Sequence, residues 1–140
     1  MEKTYGTFTP NGEDAYFDVV PFHVRFPKMK GVVDFYETFA KAFPDFHIIV
    51  HTEKDLPGMS MREVQIEATH RGEYCGLQAT GQRVSFPLLA LFLFDTATGY
   101  LNAERAYFDN NTILAQIRGE MTCEDVFDLG RIERRQQAFT

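Results

Sequence analysis

Residues 104–119 read ERAYFDNNTILAQIRG, a strand-like half followed by a helix-like half. Tyr100 to Phe108 is aromatic and alternating, which suits a β-strand, whereas Thr112 to Arg118 has the composition of a short helix. Asp109 therefore falls at a strand-to-helix corner, and two roles are open to it. Aspartate caps helices by accepting hydrogen bonds from the free amides of a first turn, and Asn110 and Asn111 would serve equally well. A carboxylate surplus to capping and flanked by Tyr107 and Phe108 would instead be partly desolvated and poised for proton transfer. The strand period of two sets Arg105, Tyr107 and Asp109 on one face, a cation, a phenol donor and a base in line. The same spacing describes a surface ladder in which Arg105 pairs with Glu67 or another exposed acid.

Outward from this corner, the chain alternates strands with two helical stretches. Ala15 to Val24 is strand-like, and after a PKMKG connection Val32, Phe35, Tyr36, Phe39 and Phe43 recur at helical spacing until Pro44 stops the pattern. Phe46 to Thr52 reads as a strand and KDLPGMS as a turn region. In the next strand, Met61 to His70, Val64, Ile66 and Ala68 alternate with a polar face of Glu63, Gln65 and Glu67. Residues 71–82 carry three glycines and form a connection to Val84–Phe94, a buried strand whose Pro87 demotes its start to an edge or bulge. The DTATG segment turns the chain into the strand that ends at Asp109. Gly6, Pro10 and Gly12 predict a tail, strand or turn over residues 1–13, while Thr122 to Phe139 is helix-prone with Thr122 and Asp125 spaced as a capping pair. With no repeat or linker, the pattern predicts one α+β domain over residues 1–140, a mostly antiparallel sheet burying one face against helices.

Composition narrows the function. Fourteen Phe and no Trp among 140 residues provide enough large rings to wall an apolar cavity as well as fill a core. A net charge of -6 with scattered Lys and Arg argues against nucleic acid as a partner. Glu124, Asp125 and Asp128 followed by Arg131, Arg134 and Arg135 suit the dipole of a solvated helix. Cys75 and Cys123 are read as free thiols. No apolar run approaches the roughly 18 residues of a membrane span, and MEKTYGTFTP lacks signal features, so a cytoplasmic chain with no membrane partner is expected.

His47 and His51 lie four apart on a strand, their Cα atoms about 13 Å apart, and cannot chelate together. His23 and His70 have no Cys, Asp or Glu at ligand spacing in their own elements, so no metal site is expected. His70 continues the apolar face of Val64, Ile66 and Ala68, where it is either a hydrogen-bonded core histidine or a catalytic one. Nucleophile elbows, phosphate loops and dinucleotide fingerprints are missing, so no organic cofactor is expected and acid-base chemistry remains.

Three runs, AFPDFHI at 42–48, ATHRGEYCGLQATGQRVSF at 68–86 and ERAYFDNNTILAQIRG at 104–119, together resemble the SnoaL-like polyketide cyclase family. The family pattern runs alanine-phenylalanine-proline-aspartate, threonine-histidine-threonine-glycine, a threonine-glycine-arginine turn, then tyrosine-tryptophan-aspartate before a leucine-glutamine-leucine-glycine helix. Order and spacing agree from about Asp14 to Gly119, leaving residues 120–140 as a C-terminal helical tail. The resemblance implies the nuclear-transport-factor-two-like fold, a cone-shaped curved sheet packed against helices around a ligand cavity.

It also implies a cofactor-free cyclase or isomerase acting on an apolar, carbonyl-bearing substrate. By the resemblance, Asp109 is the catalytic acid-base, with Tyr107, Arg105, His70 and Phe108 binding substrate. The alternative is a non-catalytic ligand-binding or dimerisation module in which Asp109 only caps a helix. Phe108 replaces the family tryptophan, and the turn reads Thr80, Gly81, Gln82, Arg83 with one extra residue. The family's N-terminal helical lid is expected to be shortened here, so that the C-terminal tail or a second subunit covers the mouth, and a homodimer follows from the apolar face left open.

Overall fold

The structure is a computed structural model that describes residues 15–131. The expectations for residues 1–13 and for the end of the C-terminal tail lie outside the described residues. Six strands form one open sheet: β1 (Tyr16–Val19), β2 (Val24–Pro27), β3 (His47–Leu56), β4 (Met59–Thr69), β5 (Arg83–Phe94) and β6 (Leu101–Tyr107). They are ordered β2-β1-β6-β5-β4-β3, and every pairing is antiparallel except that of β1 with β6. Helix α1 (Lys28–Ala42) packs against β1 and β2, and helix α2 (Asn110–Ile117) follows β6 directly.

The predicted strand over Ala15–Val24 is two strands. Pro21 lies in a 3-10 turn (Val20–Phe22), and His23 adopts a left-handed conformation (φ 56°), which reverses the chain into β2. Helix α1 begins earlier than its apolar period suggested, at Lys28 inside the anticipated connection. The turn region KDLPGMS shrinks to Pro57–Gly58 between two long strands, because cross-strand pairing extends to Leu56↔Met59. The capping pair of Thr122 and Asp125 is present, but it opens only a 3-10 turn (Cys123–Asp125); the chain is irregular at residues 126–128, where the sequence predicted a continuous helical tail.

Two apolar clusters stabilise the domain. Phe43, Ala68, Val84, Phe86, Ile113 and Ile117 close one end, while Phe17, Val19, Val32, Leu101 and Ala106 fill the other. Each fully buried large side chain contributes roughly 1.5–3 kcal/mol. Leu88 and Phe108 pack against both clusters and so mark the space between them.

Helix α2 also completes the sheet. Pairing of β5 with β6 starts only at Leu89↔Tyr107, so the first part of β5 has no strand on that side. The buried Gln116 amide takes the missing place, accepting from Ser85 N at 2.8 Å and donating to Ser85 O at 2.8 Å. Backbone groups two residues apart face the same edge of an antiparallel strand, so the nitrogen of Pro87 also points into this gap. Proline is therefore tolerated in mid-sheet, at a local edge as anticipated, and the β4 register runs through it without a bulge. The polar face of β4 is covered at one point: Gln65 is fully buried, donating to Ser85 Oγ and to the Phe127 carbonyl of the C-terminal segment.

Candidate active site

Between α1 and the sheet lies a cavity of about 480 Å³, within the usual range for small-molecule sites. Its wall is largely aromatic. Phe17, Phe35, Phe39, Phe46, Phe86, Phe92, Phe94 and Phe108 line it together with Tyr36 and aliphatic side chains of β3, β4 and β5. Phe17 stacks on Phe35 at 4.7 Å and meets Tyr36 edge-on at 5.4 Å, an offset arrangement that fixes the ring positions. Ile48 and Val50 of the edge strand β3 line the cavity and are about half exposed (48% and 50%), so the site opens beside β3.

Three polar side chains interrupt this lining. Glu104 on β6 is buried, and its carboxylate accepts a hydrogen bond from the Tyr36 hydroxyl on α1. Burial pushes the Glu104 carboxyl up to about 7, against the opposing pull of the Tyr36 hydrogen bond and the Arg62 charge. Arg62 on β4 places its guanidinium 5.2 Å from the centre of the Phe92 ring and bonds Glu53 at 2.9 Å. A carboxyl that titrates near neutrality beside a phenol in an aromatic cavity can take or give a proton at carbon or oxygen.

Of the residues singled out from sequence, only Phe108 lines this cavity. Arg105 and Tyr107 share a face, as the period of two required, but that face is the outer one. There Arg105 Nε bonds Asp18 Oδ2 at 2.9 Å, and Arg25 clasps the same carboxylate at 2.7 Å. These bonds, Arg25 first, hold Asp18 below the usual carboxylate range. The ladder foreseen for Arg105 thus exists, with Asp18 rather than Glu67 as its acid. Tyr107 is exposed, and Asp109 is exposed at the N-cap of α2, accepting from Asn111 N at 3.0 Å and from Thr112 Oγ1 at 2.9 Å. His70 is fully buried under the loop after β4, its Nδ1 accepting from Thr80 N at 3.2 Å. Burial keeps its imidazole below the usual range, with the carbonyls of Gly72 and Leu77 opposing.

A β-bulge offsets the start of β6 from the rest of the strand. The β5–β6 register shifts between Leu93 and Phe94, which brings Leu101 onto the same face as Glu104, Ala106 and Phe108. Counted in twos from Leu101, the strand presents Ala103, Arg105, Tyr107 and Asp109 instead. An offset of one residue turns a strand inside out. Tyr36 had appeared only as one of the apolar repeats of α1, and Arg62 had no local signal.

An open, mostly antiparallel sheet packed against helices is the nuclear-transport-factor-two-like fold. The chain belongs to the SnoaL-like polyketide cyclase family, whose sequence profile matches residues 13–117. Similar solved structures include a protein from Jannaschia sp. CCS1 assigned to the SnoaL-like polyketide cyclases, at 16% identity and TM-score 0.73, covering 82% of this chain and 76% of that one. AclR from Streptomyces galilaeus, assigned as a hydroxylase, is 24% identical with TM-score 0.67 and coverage of 83% and 80%. A Catenulispora acidiphila protein with a ketosteroid isomerase-like fold is 10% identical with TM-score 0.66 and coverage of 81% and 78%. No curated protein matches the chain in sequence. Among the described residues, no helix is long and apolar enough to cross a membrane, and no group of three or more His, Cys, Asp or Glu is placed to hold a metal ion.

Proposed function

We propose that the protein is a cofactor-independent cyclase or isomerase acting on an apolar, carbonyl-bearing, polyketide-like substrate, with Glu104 as its acid-base group and Tyr36 positioning the carboxyl. The observation that carries this reading is a buried carboxyl, hydrogen-bonded to a phenol, in a cavity whose remaining lining is apolar but for Arg62. Abstraction of a proton beside a carbonyl leaves an enolate stabilised mainly by the substrate itself, so one carboxylate and one donor suffice. Asp109, the base implied by the family motif, is the competing assignment. A non-catalytic binding module is the second reading, favoured by the capping geometry of Asp109. Fold alone does not decide between them, as the hydroxylase assignment of AclR illustrates.

The test is deuterium exchange at the α-carbons of 2-tetralone in D₂O, followed by NMR. Glu104 acts as a base only when ionised, so catalysed exchange should rise with pH and level off above about 7. Binding without exchange would leave the non-catalytic reading standing. A profile flat from pH 5 to 9 would remove Glu104 as the base.

A homodimer and a cytoplasmic location belong to the same proposal. Ile48, Val50 and Leu56 leave apolar surface on β3, an edge strand among the described residues, which a second copy would cover. Light scattering at micromolar protein should report a dimer. A concentration-independent monomer would show that the domain covers its own cavity.

A further inference from the structure

We propose that Arg62 is a specificity residue that binds an anionic oxygen of the substrate, so that the cavity selects flat, apolar ring systems carrying one ionised acidic group. This rests on the reading of the cavity as a substrate site. Arg62 is the one basic side chain among the described residues lining it. Two contacts hold its guanidinium at the wall: the bond to the exposed Glu53, its cross-strand neighbour on β3, and the face of Phe92. Its Nε is buried with no hydrogen-bond partner among the described residues. The side chain as a whole is 42% exposed, so its terminal N–H groups, not the shielded Nε, are open to an anionic oxygen entering the cavity.

The register sets the geometry. Arg62 stands opposite Ala90 and Glu104 opposite Phe92, on strands either side of β5 and two residues apart along it, so their Cα atoms are roughly 12 Å apart. The Phe92 side chain lies between them on the same face. A ring system resting among these phenylalanines therefore reaches both polar groups at once, its anionic oxygen at Arg62 and its reacting carbon or carbonyl at Glu104. The charged group facing Glu104 is Arg62 from β4, and the hydroxyl of Tyr36 from α1 donates a hydrogen bond to it. An anion at Arg62 also favours a protonated Glu104, so its binding should be accompanied by proton uptake near neutral pH.

Isothermal titration with 2-naphthoate, 2-naphthamide and the ionised enol of 2-phenyl-1,3-indandione tests this without turnover. At pH 6 the parent protein should bind at least one anion roughly tenfold more tightly than the amide, the scale of one charge-assisted hydrogen bond. Preference for naphthoate assigns a carboxylate, and preference for the dione alone assigns an enolate. The preference should weaken above pH 7 in the parent but not in Glu104→Gln, and it should vanish in Arg62→Met with amide binding unchanged. Equal binding of anions and amide by the parent overturns the inference, as does an Arg62→Met variant that retains the preference. Because the parent comparison needs no variant, a misfolded Arg62→Met does not block the test. Loss of α-proton exchange with the anion preference intact would sink the catalytic reading and leave this one standing.

Discussion

The Glu104→Gln variant is expected to fold, to bind ligand and to lose α-proton exchange by roughly 100-fold or more, the usual scale for a general base. Glutamine keeps an oxygen that accepts from the Tyr36 hydroxyl, so the wall of the cavity is preserved. It cannot take a proton from carbon. The same change should raise stability at alkaline pH, which separates a functional carboxyl from a structural one. The unfolded chain ionises Glu104 in the ordinary carboxylate range, while the folded chain holds its proton to about pH 7. Between those values the folded state binds more protons, so the contribution of Glu104 is best below the unfolded value and is lost as pH rises through the folded one. On the order of 3 kcal/mol is at stake. Urea unfolding at pH 8 should therefore show the variant more stable than the parent, with little difference at pH 4. An acid tolerated at such a cost points to function.

Asp109→Asn is the matched control. Asparagine caps about as well as aspartate, so its bonds to Asn111 N and Thr112 Oγ1 have ready replacements and stability should shift by only a few tenths of a kcal/mol. With Glu104 as the base, exchange is unchanged. The reverse pattern, exchange lost in Asp109→Asn and kept in Glu104→Gln, would restore the base implied by the family motif.

What was legible in the chain was whatever is encoded locally. The helical period from Val32 to Phe43 ends at Pro44, and the alternation of Val64, Ile66 and Ala68 marks the inward face of β4. The strand-to-helix corner at Asp109 is where the structure has it. The site was not local. Glu104, Tyr36 and Arg62 come from β6, α1 and β4, and no spacing within one element announces their meeting. Glu104 also lies on the opposite face of β6 from Arg105 and Tyr107, the residues that the period of two lined up. Gln65 misled for a related reason, since its polar face is covered by a segment some sixty residues later in the chain.

The motifs that carried the family resemblance have a structural use visible in their contacts. Asp45 of AFPD accepts from Thr69 N and Thr69 Oγ1, both at 2.7 Å, and Arg83 of the TGQR turn reaches Asp45 and Thr69. They tie the C-terminal end of α1 to the loop after β4, and so fix how α1 roofs the cavity. Motif residues need not touch a ligand to shape the cavity.

Gly72, within that tie, provides the largest structural effect expected from a single methyl group. The amides of Arg71 and Gly72 both donate to the Ala42 carbonyl, at 2.9 and 3.2 Å, satisfying an acceptor at the end of α1. The loop lies so close that a Cβ on residue 72 would sit 2.2 Å from the Lys41 carbonyl oxygen and 2.9 Å from its carbon. Both neighbours are backbone and cannot swing aside. Gly72→Ala must therefore lift the loop from the helix, breaking those bonds and loosening the packing around the fully buried Phe43 and His70. A loss of about 3–5 kcal/mol is expected, the range reserved for changes that strain backbone and core together. Thermal unfolding should register it as a fall of roughly 10–15 °C. Gly81→Ala is the control: its φ of 74° is left-handed, yet a Cβ there meets nothing within 4 Å. That variant should lose only about 1–2 kcal/mol, the conformational cost of an L-residue in that region. If Gly72→Ala melts no lower than Gly81→Ala, the loop is not seated on α1 as described, and the roof of the cavity is held by other contacts.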